Sequence, residues 1–547
     1  MVTLLPMGER AILVEVADLA AVLELHAALA ADPPAGVADL VPAARTVLVG
    51  FDPSRIPADA VRSWITAAAH RTPDAVASGP LVELRLRYDG ADLESTAELL
   101  GIRVADLIAR HSASGWTVAF SGFAPGFGYL VSDDWPFDVP RLAQPRTRVP
   151  TGAVGLAGEF SGAYPRETPG GWRLIGTTDA VLFDPDAADP VLLPPRARVR
   201  FAPQRSRLTA ASVPASVPAA VVRASPPSGR DSEVPEPGPR TRPENGGDAR
   251  SGGPAAADVS SRPAPVLCVL TPGGFTTVQD LGRSGRAALG VARSGALDRT
   301  ALRVANRLVG NTEDAAGLEI TLGGFRARAE VDAWVCVTGA LAELRVDGRA
   351  RDLYAPVLVP AGAELSIAAP IAGLRSYLAL RGGIVAPASL GSRSRDVLAG
   401  LGPAPLRAGD VLDAGVPSSG VPVIDVFPFS VPPALVDVAV APGPRTDWFA
   451  PGAVSTLVGT EWEVSTQADR VGIRLEGPEL PRLRVGELPS EGMRPGAIQV
   501  PPHGRPVVLL ADGPVTGGYP VIGLVRDADL DALAQVRPGD RVRFRRV

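Results

Sequence analysis

The stretch GFAPGFGYL occupies residues 122–130 of a chain of 547 residues. Aromatic residues make up only 5% of the chain, yet two phenylalanines and a tyrosine lie within this one stretch. The glycines and the proline between them exclude an ordinary helix or strand interior, because glycine leaves the backbone too free and proline removes an N–H donor. The stretch therefore either closes a barrel end with its rings or forms the wall of a ligand pocket.

Outward from this loop, the sequence predicts a mainly β protein. The chain contains 59 glycines and 56 prolines, a composition that favours short elements joined by turns. Runs of apolar and β-branched residues predict strands, and apolar residues at helical spacing predict helices. The predicted strands are 11–16, 46–51 and 81–88, and the predicted helical stretches are 18–31, 93–111, 298–309 and 527–536. The other short runs indicate antiparallel barrels or sandwiches.

Residues 204–263 differ in composition from the rest of the chain. This segment has ten prolines, many small residues, charges of both signs and no aromatic residue. Such a composition buries too little apolar surface to offset the entropy lost on ordering. We predict a disordered linker that divides the chain into a front half, 1–203, and a back half, 264–547.

Charge and composition exclude several classes of protein. A formal net charge of −5 without a basic stripe argues against a nucleic-acid partner. No apolar run is long enough for a membrane-spanning helix, and the first residues lack the pattern of a signal peptide. Cys268 and Cys336 are the only cysteines, so neither a disulfide framework nor a cysteine metal site is expected. We predict a cytoplasmic protein without membrane partners.

The absence of lysine restricts the chemistry further. All 54 basic residues are arginine, so the chain itself cannot carry biotin on a lysine, form a lysine Schiff base or use a P-loop lysine. A bound carboxylate or phosphate must be held by arginine, by backbone N–H groups or by a metal ion.

Loops rich in glycine and arginine are the candidate sites. In the front half these are residues 122–130, 145–150 and 162–178, which include Arg146 and Arg148. In the back half, the candidate anion-binding residues are Arg283, Arg293, Arg393 and Arg470. A purely structural interpretation stays open for each, with aromatic residues packing a barrel, surface arginines solvated and Asp298 capping a helix.

The same loops together resemble a known family. The front-half segments GFAPGFGYL and PRTRVPTGAVGLAGEFSGAYPRETPGGWRLIGTT (145–178) resemble the B subunit of prokaryotic 5-oxoprolinase, also called allophanate hydrolase subunit 1. The C subunit, also called allophanate hydrolase subunit 2 or biotin-dependent carboxyltransferase, is similar to the back half. The segments that carry this second resemblance are GGFTTVQDLGRSG, SGALDRTALRVANRLVGN, GSRSRD, ADRVGIRLEG, EGMRPGAIQVP and TGGYP. The chain is therefore interpreted as a fusion of B and C.

The resemblance implies cyclophilin-like β barrels. The expected domains are a small α/β domain (1–79), a barrel (80–203), the linker (204–263) and two further barrels (264–430 and 431–547). It also implies a component of an ATP-dependent 5-oxoprolinase, an amidohydrolase that opens 5-oxoproline to L-glutamate together with a separate A subunit. ATP is the expected cofactor, with Mg²⁺ beside it. The oligomeric state, a homo-oligomer included, is left open.

Specific residues are assigned to this activity as a hypothesis. The expected catalytic residues are Asp280, Asp298 and Arg283. The expected phosphate-binding residues are Arg283, Arg393, Arg470, Gly517 and Gly518. The expected substrate-binding residues are Phe123, Gly126, Phe127, Tyr129, Arg146, Arg148, Tyr164 and Trp172.

Two other functions remain compatible with the resemblance. One is a carboxyltransferase of the allophanate hydrolase or urea amidolyase type, which would need biotin on a partner protein. The other is a regulatory protein that inhibits a sensor kinase and has no turnover of its own.

Overall fold

The computed structural model of the chain describes residues 2–71, 79–144, 146–204, 264–424, 427–484, 486 and 488–547. The predicted linker, apart from its first residue, lies outside the described residues. No helix in the described part is long and apolar enough to cross a membrane.

The chain begins with a four-stranded antiparallel sheet that has two helices on one face. Its central strands β2 and β4 are nearly continuous apolar runs, which give this sheet two buried faces. Helix α1 starts where Asp18 accepts a 2.9 Å hydrogen bond from the N–H of Ala21. The elements are β1 (Thr3–Pro6), β2 (Ala11–Glu15), α1 (Leu19–Ala31), β3 (Val37–Pro42), β4 (Thr46–Phe51) and α2 (Ala58–Ala68), with strand order β1-β2-β4-β3.

A seven-stranded sheet forms the rest of the front half. Its strand order is β12-β9-β10-β7-β6-β13-β5, and β13 runs parallel to β5. The elements are β5 (Leu81–Leu86), α3 (Leu93–Leu99), α4 (Val104–Ala113), β6 (Trp116–Ser121), β7 (Gly128–Val131), β8 (Arg146–Val149), β9 (Ala153–Ala157), β10 (Phe160–Ala163), β11 (Thr168–Gly170), β12 (Arg173–Thr177) and β13 (Arg198–Pro203). Residues 122–127 form the loop that joins β6 to β7, whereas residues 128–130 begin β7, so the expectation that the stretch 122–130 lies outside strands is wrong for its last three residues. Strand β8 pairs with β11 as a separate ribbon.

The first part of the back half has two sheets packed around one core. Its elements are β14 (Ala264–Pro272), β15 (Phe275–Gln279), α5 (Arg299–Leu308), β16 (Gly317–Thr321), β17 (Phe325–Ala329), β18 (Ala333–Leu341), β19 (Leu344–Val346), β20 (Arg349–Arg351), β21 (Val357–Val359), β22 (Glu364–Ile367), β23 (Ala372–Leu380), β24 (Ile384–Val385) and β25 (Val411–Ala414). A 3-10 turn at Ala287–Leu289 precedes α5.

The second part of the back half is a closed barrel. Its strands follow the order β26-β33-β30-β31-β28-β27-β34, and the parallel pair of β26 and β34 closes the ring. The elements are β26 (Leu435–Pro442), α6 (Ala453–Gly459), β27 (Glu461–Val464), β28 (Gly472–Glu476), β29 (Glu491–Gly492), β30 (Ala497–Gln499), β31 (Val507–Leu509), β32 (Thr516–Gly517), β33 (Val521–Val525), α7 (Leu530–Leu533) and β34 (Arg541–Arg546). Strands β29 and β32 pair outside the barrel as a short ribbon.

The two halves share a hydrophobic cluster. The face of the first sheet that its helices leave open packs on the closed barrel, so that Met7 and Leu48 lie in one buried cluster with Met493, Leu509 and Leu524. Burying several such side chains stabilises the contact by about 1.5–3 kcal/mol for each fully buried one. The halves therefore pack as one body around this cluster.

The expected mainly β fold with barrels and a small N-terminal α/β unit is confirmed, whereas the exact domain boundaries stay a prediction. Two helical stretches differ from expectation. Residues 93–111 form two helices, because Gly101, with φ of 66°, ends the first one. Residues 527–536 contain a 3-10 turn, Asp527–Asp529, followed by the four-residue helix α7.

A histidine is buried in the core of the front half. His111, at the end of α4, is 0% exposed, and its Nδ1 and Nε2 lie 2.8 Å from the Tyr88 hydroxyl and 2.9 Å from the Ser161 hydroxyl. Burial lowers the pKa of His111 from its ordinary 6.5 to about 3. The ring is therefore neutral in the folded protein at neutral pH.

This histidine makes stability depend on pH. Below pH 6.5 the unfolded chain binds a proton that the folded chain does not, so stability falls as the pH decreases from about 7 to 5. We expect His111→Gln to flatten this part of the dependence, as measured by denaturant unfolding midpoints at several pH values. The control is His70→Gln, which changes an exposed histidine. An unchanged slope in His111→Gln would contradict the assignment.

Candidate functional site

A cavity of about 110 Å³ lies where the aromatic loop meets the closed-barrel part of the back half. Both halves contribute to its wall. The front-half lining is Phe123, Phe127, Tyr129, Arg141, Tyr164, Gly170, Gly171 and Trp172, and the back-half lining is Ser490, Thr516, Gly517 and Gly518.

The loop is held against the back half by backbone hydrogen bonds. The N–H of Phe123 donates to the Thr516 hydroxyl at 2.9 Å, and the N–H of Gly126 donates to the carbonyl of Leu289 at 3.1 Å. Phe123 has a φ of 65°, a conformation that costs energy in a residue other than glycine. A Cβ atom on Gly122 would lie 2.3 Å from the Thr516 hydroxyl, so this close approach requires glycine.

The rings of the loop pack edge to face. The ring of Phe127 lies at centroid distances of 5.4 Å from Phe123, 5.1 Å from Tyr164 and 5.2 Å from Trp172. Tyr129 stacks on Phe120 at 4.4 Å. Such pairs are worth about 0.5–1.5 kcal/mol beyond the area they bury. The loop therefore closes one end of the front-half core and lines the cavity with the same rings.

Polar groups interrupt this aromatic wall. Burial raises the pKa of Tyr129, while the charge of Arg141 and hydrogen bonding with Ser490 and Thr516 act in the opposite direction. Burial also raises the pKa of Tyr164. Both phenols are thus neutral at physiological pH and can donate hydrogen bonds. With the guanidinium of Arg141, the lining suits a small, flat molecule that carries a carboxylate and an amide oxygen.

Five of the predicted substrate-binding residues meet at this cavity, namely Phe123, Phe127, Tyr129, Tyr164 and Trp172. Gly517 and Gly518, which were predicted to bind phosphate, line it as well. Arg141 was missed, although it stands only a few residues before the predicted Arg146. Its position in the lining follows from the tertiary fold and has no motif in the sequence.

Three predicted substrate-binding residues lie elsewhere. Arg146 donates to Asp92 at 2.7 Å, and the exposed Arg148 pairs with Glu167 at 2.6 Å. At Gly126, an added Cβ would lie 2.8 Å from the Cβ of Phe183, so this glycine serves close packing. The contacts of Arg148 and Gly126 are thus made within the protein, and Arg146 pairs with Asp92 while its Nη1 is buried without a partner among the described residues.

The predicted catalytic Asp280 is saturated with hydrogen bonds. It accepts from the Ser392 and Ser394 hydroxyls and from the backbone N–H groups of Gly282 and Arg393. Burial alone would raise the pKa of Asp280, but these hydrogen bonds together bring it below its ordinary value. The geometry gives Asp280 a structural role, in which it fixes the loops that donate to it and does not contact a ligand.

The predicted arginines beside Asp280 also bind backbone carbonyls. Arg283, 3% exposed, donates to the carbonyls of Ser389 and Ser394. Arg393 is exposed at the surface, and its Nε donates to the carbonyl of Ala386 at 3.0 Å. Neither side chain lines the aromatic cavity.

Asp298 caps a helix. Its carboxylate accepts from the N–H of Ala301 at the start of α5 and from the amide of Gln535, both at 2.8 Å. Burial raises its pKa to about 7, with the charge of Asp531 adding to this rise. The structural alternative considered for this residue accounts for its contacts in full.

Arg470 belongs to a buried ion-pair network that joins the two parts of the back half. It is 3% exposed and pairs with Glu319 of β16 and with Asp512, whose Oδ2 lies 2.9 Å from Nε. Glu319 also accepts from the Tyr377 hydroxyl at 2.8 Å, and Asp512 from the Ser294 hydroxyl at 2.6 Å. These contacts leave Arg470 committed to the protein and not to a phosphate.

The described residues contain no group of three or more histidine, cysteine or acidic side chains placed to hold a metal ion. The expectation of Mg²⁺ beside ATP thus stays a prediction, since phosphate oxygens and water can supply most Mg²⁺ ligands.

Comparison with known proteins places this architecture in a family. The model of the carboxyltransferase domain, subdomain C and D, matches residues 2–193, and that of subdomain A and B matches residues 289–546. The C subunit of 5-oxoprolinase from Escherichia coli K12 is 38% identical over 285 residues, which are 51% of this chain and 90% of that protein. The chain belongs to the carboxyltransferase-domain family that includes the B and C subunits of 5-oxoprolinase.

Other relatives agree with a B-like part followed by a C-like part. The B subunit of 5-oxoprolinase from Escherichia coli O157:H7 is 44% identical over 127 residues, 23% of this chain and 58% of that protein. The urea amidolyase of Lachancea kluyveri is 33% identical over 50% of this chain, which spans only 16% of that enzyme. The crystal structure of TTHA0988 has 34% identity and a TM-score of 0.79, covering 98% of this chain and 99% of that one.

The hydrogen bond between the B-like and C-like parts can be tested at Thr516. Thr516→Val removes the acceptor for the N–H of Phe123 and leaves that group unpaired. We expect a loss of about 1–3 kcal/mol in the free energy of unfolding, as for other buried groups that lose their partner. Thr516→Ser keeps the hydroxyl and should retain most of the stability. Equal denaturant midpoints for the two variants would show that this hydrogen bond does not contribute to the free energy of unfolding.

Proposed function

We propose that this chain acts in the cytoplasm as the joined B and C components of an ATP-dependent 5-oxoprolinase. Together with a separate A subunit it would open 5-oxoproline to L-glutamate. The proposal is supported by relatives named as B and C subunits of 5-oxoprolinase, each similar to one part of the chain. It makes the protein one component of a multi-subunit amidohydrolase.

The observation that carries the proposal is the composite wall of the aromatic cavity. Its rings come from the B-like part, whereas Ser490, Thr516 and two glycines come from the C-like part. A site divided in this way exists only when both parts are present and packed together. This explains why the two parts are useful in one polypeptide.

The cavity suits the substrate by size and chemistry. A five-membered lactam is flat and small, and the aromatic wall that includes Phe127 and Trp172 can pack against such a ring. In this proposal Arg141 binds the carboxylate, and the Tyr129 hydroxyl donates to the lactam oxygen. Fixing both groups orients the oxygen for reaction and excludes water from one face of the ring.

Ring opening needs activation because the lactam is a stable amide. In the proposed reaction the lactam oxygen attacks the γ-phosphorus of ATP, the bond to the bridging oxygen breaks and ADP leaves. Water then attacks the activated carbon, and the ring C–N bond breaks as the nitrogen takes up a proton, which leaves an acyl phosphate. A second water attacks this acyl phosphate, so that inorganic phosphate leaves and the new carboxylate of glutamate remains. The phosphoryl group thus converts a poor leaving oxygen into a good one, and arginine must stabilise its charge in a chain without lysine.

The decisive experiment measures glutamate release from 5-oxoproline and ATP. The purified chain, the A subunit of a 5-oxoprolinase and their mixture are compared under the same conditions. We expect glutamate, with matching ADP, from the mixture and not from either protein alone. A folded mixture that forms no glutamate contradicts the proposal, and a biotin-dependent carboxyltransferase would then be the next activity to assay.

Tyr129→Phe tests the position of the substrate. It removes one hydroxyl and keeps the ring that packs on Phe120. We expect kcat/KM for 5-oxoproline in the reconstituted system to fall roughly tenfold or more, because a donor to the reacting oxygen is lost. Tyr519→Phe, at a residue 41% exposed outside the lining, is the matched control. Equal kinetics for both variants would place the substrate elsewhere.

A further inference from the structure

A second and larger cavity lies between the first sheet and the back half. It has a volume of about 740 Å³, within the range of roughly 300–1,000 Å³ that is usual for small-molecule sites. The front-half wall comes largely from β3, β4 and the residues after β4, and the opposite wall comes from the segments before α5 and around β29 and β32. It is separate from the aromatic cavity in its lining residues.

The lining of this cavity has an excess of positive charge. It contains six arginines (Arg10, Arg55, Arg293, Arg299, Arg303 and Arg494) and three aspartates (Asp39, Asp52 and Asp527). Guanidinium groups repel one another, so a cluster of this kind in a partly enclosed space costs energy unless anions compensate it. The cavity therefore favours a ligand with several negative charges.

One carboxylate is shared among three of these arginines. Asp527 Oδ2 lies 2.9 Å from Arg10 Nε and 3.3 Å from Arg299 Nη2, while its Oδ1 lies 3.9 Å from Arg494 Nη2. Burial alone would raise the pKa of Asp527, but Arg299, Arg10 and Arg494 together lower it. Arg10 also pairs with Asp52 at 3.4 Å and Arg299 with Asp531 at 3.6 Å, so carboxylates on both sides of Asp527 help to hold these guanidinium groups in place.

Arg494 is a largely buried arginine beside Asp527. Its side chain is 16% exposed, and Nη1 donates to the carbonyl of Met7 at 3.1 Å. Burial lowers the pKa of Arg494 to about 10; Asp527 opposes the change, and the positive charges of Arg10 and Arg299 add to it. Burial is the main cause of this lowering, and an anion placed beside Arg494 in the cavity would offset the cost of keeping its buried guanidinium charged.

Arg293 and Arg303 also have N–H groups without a carboxylate at hydrogen-bond distance among the described residues. Among the described residues Arg293 forms no ion pair, and its Nε donates to the carbonyl of Leu281 at 3.2 Å. The Nε of Arg303 is buried without a hydrogen-bond partner in the described part of the chain and lies 3.6 Å from Glu313 Oε2. Both side chains keep N–H groups that no protein acceptor uses fully.

We propose that this arginine-lined cavity binds a condensed phosphate chain, as in a nucleoside triphosphate. The lining arginines still outnumber their carboxylate partners when Asp531 and Glu313 outside the lining are included, and several neighbouring guanidinium groups suit a ligand with several phosphate groups better than a single carboxylate. The planar fork of arginine binds phosphate oxygens in pairs, which suits a row of phosphate groups. The choice of a nucleotide as the natural ligand rests on the proposed function, whereas the affinity for a phosphate chain does not.

The short ribbon of β29 and β32 lies beside both cavities. Residues 513–515 and 493–495 line the large cavity, whereas residues 516–518 and 490 line the small one. A phosphate chain and an amide bound in the two cavities would therefore contact opposite ends of the same paired segment. The proposed site thus places the phosphoryl donor next to the proposed substrate cavity.

Calorimetric titration of the full chain tests the site without turnover. The ligands are ATP, inorganic tripolyphosphate and orthophosphate at equal ionic strength. We expect ATP and tripolyphosphate to bind, and orthophosphate to bind roughly tenfold or more weakly, because it reaches fewer arginines. Failure of tripolyphosphate to bind, or equal affinity for orthophosphate, would overturn the proposal.

Variants then locate the binding. Arg293→Gln should weaken ATP and tripolyphosphate binding about tenfold, the usual effect of losing a charged hydrogen bond. Arg55→Gln, at an exposed position of the lining, should weaken it by a smaller factor and is the alternative if Arg293→Gln does not fold. The control Arg326→Gln removes an arginine from an exposed pair with Glu364, outside the cavity. Unchanged affinity in both lining variants contradicts the assignment.

The same measurements separate this inference from the proposed function. Tight binding of a phosphate chain that Arg293→Gln weakens, in a protein that releases no glutamate with an A subunit, upholds the site and rejects the 5-oxoprolinase. Glutamate release with the same KM for ATP in wild type and Arg293→Gln upholds the enzyme and rejects the site.

Discussion

The contact between the first sheet and the closed barrel is the constraint on which the other features depend. Met7 and Leu48 enter the same buried cluster as Met493 and Leu524, so the N-terminal unit is fixed on a barrel that begins more than 400 residues later. Ion pairs surround this cluster, including Arg445 with Glu15 at 2.8 Å. Both cavities lie along the seam between front and back halves. Their shapes therefore depend on a packing that neither half could produce alone.

Within the back half, a buried ion-pair network holds the two sheets and the closed barrel together. Arg470, Glu319 and Asp512 form ion pairs in a nearly water-free interior, where removing any partner would leave an uncompensated charge. Such a network contributes chiefly by specifying one arrangement of the two sheets and the barrel. Apolar side chains in the same positions would be compatible with several arrangements, because apolar contacts have no direction. The same network occupies Arg470, which was predicted to bind phosphate.

The sequence was a good guide to local structure and a poor one to the positions of charged side chains. Strand β4 and the capped helix α5 follow from apolar runs and from Asp298, which are signals within a few residues. The aromatic loop was also identified, because rings between glycines are unusual wherever they occur. By contrast, Arg146 and Arg148 could not be distinguished from Arg141 by sequence, since their partners Asp92 and Glu167 come from other strands and loops. The arginines of the large cavity are separated by hundreds of residues, and no motif unites them.

The strained loop at Phe123 and the short ribbon of β29 and β32 link the walls of the two cavities. Phe123 keeps a left-handed backbone because Thr516, the first residue of β32 in the short ribbon, accepts its N–H. The position of Thr516 is in turn fixed by pairing of β32 with β29, and Gly492 of β29 packs against Leu48 of the first sheet. A displacement of the wall of one cavity is therefore transmitted to the wall of the other by the paired backbone of β29 and β32. Two ligands bound on opposite ends of this ribbon would have their relative position set by hydrogen-bonded strands and not by flexible side chains, which is the arrangement that a group transfer between them requires.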